Sequence, residues 1–282
     1  MSRASMVTPS CSRRLLAFRQ VVHPGFQYIV THGAAPMASI VRTRPWVSTY
    51  NGRTGQTAPG RGVREVRRIV LIVNEIFHSI QGESTHAGRP CVFVRLTGCD
   101  LRCTWCDTAY AFHDGQRMSV DDVVTALESY PSRLAELTGG EPLLQDDVYP
   151  LIDRLLGAGW DVLVETGGHL SLDRVPAAVT KIVDVKCPGS GEAARHDWNN
   201  VRWLTARDEV KFVVRDREDY DFARDAIGTH RLGARCGAVL LSPVHGTLAP
   251  ERLAAWALED GLDARVQLQV HKYIWGADAR GV

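Results

Sequence analysis

The chain has 282 residues, 45% of them hydrophobic and 23% charged, with a formal net charge of +1. That is the composition of an ordinary globular protein with a substantial core. It excludes a membrane-spanning one, because runs such as Ile69–Val73 fall far short of the ~20 apolar residues a bilayer requires.

The first 64 residues contain nine Arg and no acidic residue, which leaves 24 basic against 32 acidic groups in the remainder. Pro, Gly, Ser and Thr dominate this segment and no helical period is sustained. We therefore expect residues 1–68 to be a basic extension, either a disordered leader or the product of an upstream start, and residues 69–282 to be one catalytic domain. Neither nucleic acid nor a membrane is expected as a partner. Seven cysteines is an odd number, and three fall within eight residues. This points to metal binding in a reducing cytoplasm and away from a disulfide framework.

From Ile69 onward, short β-branched runs alternate with amphipathic stretches, the pattern of a parallel α/β sheet with crossover helices. Strands are predicted at 91–96, 133–137, 161–165, 181–185, 209–214, 238–241 and 265–269. Between them the periodicity predicts helices at 120–129, behind a Ser119 N-cap with Asp122 three residues on, and at 146–156, closed by Gly157 or Gly159. Two more are predicted at 218–227 and 250–260. Six or seven parallel strands with too few helices for an eight-fold barrel predict a partial, open parallel barrel, whose active site lies at the carboxyl ends of the strands. Three motifs fall there. The cysteines follow the first predicted strand, Thr138-Gly139-Gly140-Glu141-Pro142 follows the second, and Glu165-Thr166-Gly167-Gly168 follows the third.

In the loop Cys99-Asp-Leu-Arg-Cys103-Thr-Trp-Cys106, three thiolates can converge on one metal centre. Thiolate sulfur favours an iron-sulfur cluster or zinc. A four-iron cubane held by three thiolates keeps one iron open for a further ligand; a Cys3His zinc site would recruit His113. Spacing alone admits both, and Cys11, Cys91, Cys187 and Cys236 are expected to be core or incidental.

The C-x3-C-x2-C loop with Trp105 before the last cysteine resembles the cluster loop of radical S-adenosylmethionine enzymes, and Gly139-Gly140-Glu141-Pro142 resembles their motif for the methionine amino group. The likeness narrows to the 7-carboxy-7-deazaguanine synthase family through Asn74–Ser84, Phe93–Cys99, Trp105–Thr108, Thr138–Pro142, Asp184–Gly191 and His271–Trp275. That resemblance implies an open barrel of the radical S-adenosylmethionine type. It further implies conversion of 6-carboxy-5,6,7,8-tetrahydropterin to 7-carboxy-7-deazaguanine with loss of ammonia, a step toward queuosine and other deazapurines. The cofactors implied are one 4Fe-4S cluster per subunit, S-adenosylmethionine and Mg²⁺. The partners implied are an external one-electron reductant of flavodoxin or ferredoxin type and a second copy in a homodimer.

Carried over by position, Cys99, Cys103 and Cys106 bind three irons and Thr108 binds Mg²⁺, unless its hydroxyl merely satisfies loop backbone. Ile80, Gln81, Gly82, Arg95 and Thr138 contact the pterin, with Arg95 suited to its carboxylate. Gly140, Lys186, Cys187, Pro188 and Ser242 contact S-adenosylmethionine. Glu165 either reaches the cofactor ribose or pairs with a neighbouring cation. His271 and Lys272 are candidates at the end of the last strand. Some members end in a proline whose carboxylate fixes substrate; this chain continues to Val282, so no terminal contact is carried over. Rival readings are another radical S-adenosylmethionine enzyme and a zinc-stabilised binding module.

Overall fold

Side-chain alternation along the strands builds the architecture in the computed structural model, which describes residues 70–282; the expected extension, 1–68, lies outside the described residues. Seven strands run parallel, β2 (Pro90–Leu96), β4 (Leu134–Gly139), β5 (Asp161–Thr166), β6 (Thr180–Val185), β7 (Glu209–Val214), β8 (Ala238–Pro243) and β9 (Arg265–Val266). Two further strands, absent from the sequence-based expectation, extend one edge antiparallel: β1 (Val70–Ile80) against β2, and β3 (Gln116–Ser119) against β1. The nine-stranded sheet runs β3-β1-β2-β4-β5-β6-β7-β8-β9 and stays open.

Both unexpected strands have a physical reason for escaping notice. Only Leu71 and Val73 of β1 are buried, the remainder reading Asn-Glu-Ile-Phe-His-Ser-Ile without clean alternation, and its register shifts between Val73 and Glu75. Strand β3 is four residues long. The last predicted strand shrinks to the exposed pair Arg265–Val266, and residues 270–274 form a short helix, α5 (Val270–Ile274), whose first N–H bonds to the Gly82 carbonyl at 2.9 Å. His271 and Lys272 are therefore on a helix and not at a strand end.

Outward-facing residues pack against helices. Val92, Val94, Leu96, Leu137, Val162 and Val164 share one core with α1 (Val120–Glu128) and α2 (Val148–Gly157). Val210, Phe212, Val214, Val239 and Leu241 share another with α3 (Arg217–His230) and α4 (Pro250–Glu259). The period is explicit in α2, where Val148, Leu151, Ile152 and Leu155 are all buried; each contributes roughly 1.5–3 kcal/mol of hydrophobic stabilisation. Helix α1 starts on a reciprocal capping box between Ser119 and Asp122. At α2 the N-cap residue Asp147 makes no side-chain cap; its Oδ2 accepts from Val70 N at 2.8 Å and ties β1 to the start of α2.

Inward-facing residues divide into two levels. Cys91, Phe93, Leu134, Leu163 and Ile182 form an apolar floor. Two residues on toward the carboxyl ends, the same faces carry Arg95, Glu136, Glu165 and Asp184. The barrel interior is thus dry below and charged above.

Candidate active site

Above that floor lies a cavity of about 420 Å³. Among the sequence-predicted site residues, Ile80, Gln81, Gly82, Arg95, Cys99, Cys103, Cys106, Thr108, Thr138, Gly140 and Lys186 line it, as do Glu165, His271 and Lys272. Cys187, Pro188 and Ser242 do not. Cys187 is fully buried in the α3–α4 core. The turn at Pro188–Ser190 instead holds the cysteine loop from behind, with Thr104 N donating to Ser190 O at 3.1 Å and Thr104 Oγ1 to Gly189 O at 2.9 Å. Ser242 is fully buried on the inward face of β8, and its hydroxyl has no protein partner.

The cysteine loop is held by Gly98 N donating to Ala111 O at 2.8 Å and by Leu101 N approaching Cys99 Sγ at 3.4 Å. The Gly-Gly motif packs directly on it: a Cβ at Gly140 would lie 2.1 Å from the Gly98 carbonyl oxygen and 2.8 Å from Cys99 Cβ. The absent side chain thus gives clearance to the cysteine loop itself, which joins the two motifs into one unit. Glu141 secures them to β5, accepting from Leu143 N at 3.0 Å, Gly167 N at 2.8 Å and Thr166 Oγ1 at 2.9 Å.

Cys99, Cys103 and Cys106 face one cavity, yet among the described residues no three His, Cys, Asp or Glu side chains converge to hold a metal ion. A 4Fe-4S cluster needs only these three thiolates from the chain, whereas a Cys3His zinc site needs a histidine beside them. His113 does not line the cavity; its carbonyl accepts from Asn74 Nδ2 at 3.2 Å. Burial pushes the Cys103 thiol up to about 11, although Lys186 pulls the other way, so a bound metal must displace its proton. Thr108 caps no helix with its side chain, and its Oγ1 is 3.8 Å from Cys106 Sγ.

At the pterin end predicted from sequence, the Arg95 Nε donates to Glu75 Oε1 at 2.7 Å, and Tyr110 donates to the same oxygen at 2.8 Å. The guanidinium is thus anchored through its back edge, and its terminal nitrogens keep the fork that suits a carboxylate. The loop after β1 is pinned by the Thr85 N–H and hydroxyl, both donating to buried Glu209. A Cβ at Gly82 would come within 2.0 Å of His271 Nδ1, so this glycine lets α5 close on the loop. Beyond α5, Ala277, Asp278 and Val282 also line the cavity, and Arg280 stacks over Tyr110 at 4.1 Å. The tail, for which no contact was carried over from the family, therefore reaches the site.

Sequence reasoning missed the charged layer above the apolar floor. Lys211 on β7 is 4% exposed and binds Glu83 at 2.8 Å and Asp184 at 3.6 Å, as well as Glu165. Burial favours its neutral form, but the three carboxylates outweigh that and raise its pKa well above the usual lysine range. Burial likewise opposes ionisation of Glu83 and Asp184, and Lys211 and Lys186 respectively reverse it, holding both below the usual carboxylate values. Glu165 thus pairs with a cation, one of its two expected roles. The signal was present: Glu136, Asp184 and Lys211 are charges on central strands whose residues are nearly all buried.

Residues 93–187 match the Radical SAM superfamily. A 7-carboxy-7-deazaguanine synthase from Koribacter versatilis is 46% identical over 224 residues, covering 74% of this chain and 99% of the relative. Another from Chlorobaculum tepidum is 44% identical over 215 residues, covering 75% and 97%. The crystal structure of QueE from Escherichia coli, at 22% identity, superposes with a TM-score of 0.57 over 71% of this chain and 94% of that one, which shows the shared fold. No helix among the described residues is long and apolar enough to cross a membrane. With near-complete coverage of relatives at this identity, and with the three cysteines and the glycine motif packed into one unit, the chain belongs to the 7-carboxy-7-deazaguanine synthase family of radical S-adenosylmethionine enzymes.

Proposed function

We propose that this chain converts 6-carboxy-5,6,7,8-tetrahydropterin to 7-carboxy-7-deazaguanine with release of ammonia. The observation that carries the reading is the opening of the cysteine loop and of the Arg95–Gln81 end into one cavity of about 420 Å³. When bound through Cys99, Cys103 and Cys106, a 4Fe-4S cluster with S-adenosylmethionine supplies one-electron cleavage of the sulfonium and hence hydrogen-atom abstraction from the substrate.

The chain's own residues bind, orient and exclude water. Arg95, fixed by Glu75 and Tyr110, grips the pterin carboxylate through its terminal nitrogens. Ile80, Gln81 and Gly82 meet the ring edge from a loop held on Glu209, and Thr138 approaches from β4. Gly140 and Lys186 line the S-adenosylmethionine side, while Cys187 and Pro188 act through the backbone turn that supports the cysteine loop. Ser242, buried without a partner, keeps a hydroxyl free on the inward face. The Thr108 hydroxyl, engaged in no cap, is the oxygen donor for Mg²⁺, a hard cation that takes water and substrate oxygens besides. The tail at 277–282 and α5 shield the cavity from solvent. An external reductant of flavodoxin or ferredoxin type and a homodimeric state complete the proposal.

The test is anaerobic reconstitution with iron and sulfide, followed by S-adenosylmethionine, Mg²⁺, a reductant and the tetrahydropterin. The reading requires 7-carboxy-7-deazaguanine and ammonia in equal amounts. Cofactor cleavage to 5′-deoxyadenosine without that product would move the function to another substrate.

A further inference from the structure

Glu136 stands on the inward face of β4, two residues before Thr138, and is 1% exposed. Gln81 Nε2 donates to its Oε2 from one side, and the Glu165 carboxyl on β5 acts on it electrostatically from the other. A buried carboxyl beside another carboxyl keeps its proton unless a cation compensates its charge. The Lys211 ammonium lies against Glu165, which also takes the Thr138 hydroxyl at 3.5 Å. Lys211 makes its ion pairs with Glu83, Glu165 and Asp184 and not with Glu136, which leaves Glu136 as the acid. Burial first, and the charge of Glu165 second, push the Glu136 carboxyl well above the usual range, with Gln81 and Lys211 only partly opposing them.

The titratable and charged groups around Glu136 are Glu83 after β1, Cys91 on β2, Glu165 on β5 and Lys211 on β7; Lys211, the cation among them, is engaged by Glu83, Glu165 and Asp184. The orientation of Gln81 is settled by the same contacts. Its Oε1 accepts from Glu83 N while its Nε2 donates to Glu136. Turning the amide over would oppose two N–H groups at Glu83 and two oxygens at Glu136.

We infer that Glu136 is a positioning residue for the substrate: as a neutral carboxylic acid it donates to Glu165 and accepts from Gln81. It thereby locks the Gln81 amide with one N–H and one oxygen lone pair left for the pterin ring. This rests on the pterin reading proposed above. A glutamine side chain reproduces the same pattern, an N–H toward Glu165 and an oxygen toward Gln81, without a titratable proton.

The experiment compares wild type, Glu136→Leu and Glu136→Gln in the reconstituted holoenzyme, with iron and sulfide content as the control for folding. Glu136→Leu is expected to raise KM for the tetrahydropterin about tenfold, the loss of one or two buried hydrogen bonds, with a smaller change in kcat. Glu136→Gln is expected to restore KM to within about threefold of wild type. On raising the pH, KM of wild type should climb as Glu136 ionises, and that of Glu136→Gln should not. An unchanged KM in Glu136→Leu, a Glu136→Gln as impaired as Glu136→Leu, or identical pH profiles for wild type and Glu136→Gln would each overturn the inference. Should Glu136→Leu fail to assemble a cluster, the pH comparison of wild type with Glu136→Gln decides alone. Failure of wild type to consume the tetrahydropterin would instead remove the functional reading.

Discussion

Two groups of buried charge lie on neighbouring strands of this barrel, and they are built differently. At the amino end, Lys181 on β6 and Asp208 form a 3.0 Å pair, 1% and 0% exposed. The carboxylate is completed by Lys181 N at 2.8 Å and Thr205 N at 2.6 Å, and neither residue lines the cavity. At the carboxyl end, Glu83, Glu136, Glu165 and Asp184 outnumber Lys186 and Lys211, and all six line the cavity. The first group is balanced and closed. The second carries an excess of two acids, which a proton on Glu136 reduces to one, and it opens toward ligand. Balance marks a group that holds the fold together; imbalance facing a cavity marks one arranged for binding and chemistry.

The sharpest way to break this comparison is to remove each lysine in turn. Lys181→Met leaves Asp208 buried without its cation and should cost about 3–5 kcal/mol of stability, measured by denaturant unfolding, while turnover per assembled cluster stays near that of wild type. Lys211→Met removes the cation shared by Glu83, Glu165 and Asp184, and should lower turnover about 100-fold with a smaller loss of stability, because those carboxyls can gain protons from the cavity. If both variants lost stability alike and activity alike, the distinction would fail.

A gentler probe uses the proton on Glu136. Its pKa is raised in the fold, so the folded chain keeps a proton that the unfolded chain releases above the ordinary glutamate range. The folded state then binds more protons, and wild-type stability falls as pH rises through that window. Glu136→Gln carries no such proton. Its stability relative to wild type should therefore grow by about 1.4 kcal/mol per pH unit, from the ordinary glutamate value upward until Glu136 itself ionises, as read from parallel melting curves. A constant difference would show that Glu136 is not the acid. The smallest effect is expected from deleting residues 1–64, since 74% of this chain already matches 99% of the Koribacter versatilis relative; turnover should change less than about twofold.

The strands that place the site were legible because β2 and β4–β8 are buried on both faces and read as short β-branched runs, all but β7 followed by glycine or proline motifs. The capping box at Ser119 was legible for the same local reason. Strand β1 was not, because its second half is half-buried and bulged, held in place by partners such as Asp147 and Gln145 that are more than seventy residues away. The cysteines and glycines announced themselves by spacing. Lys211 and Glu136 did not, because a charge inside a buried strand acquires meaning only once β4, β5, β6 and β7 bring their inward faces together. Pro188 shows the converse: its motif was read as ligand contact, and the turn it begins supports Thr104.

The most direct test of the central claim compares wild type with Cys103→Ala in one anaerobic assay that reads iron, sulfide, circular dichroism and the mass of the product. The account predicts about four irons and four sulfides per wild-type chain together with 7-carboxy-7-deazaguanine, and neither cluster nor product from a Cys103→Ala protein that keeps its fold. Product from Cys103→Ala, or a wild-type protein that assembles its cluster and cleaves S-adenosylmethionine yet leaves the tetrahydropterin intact, would contradict it.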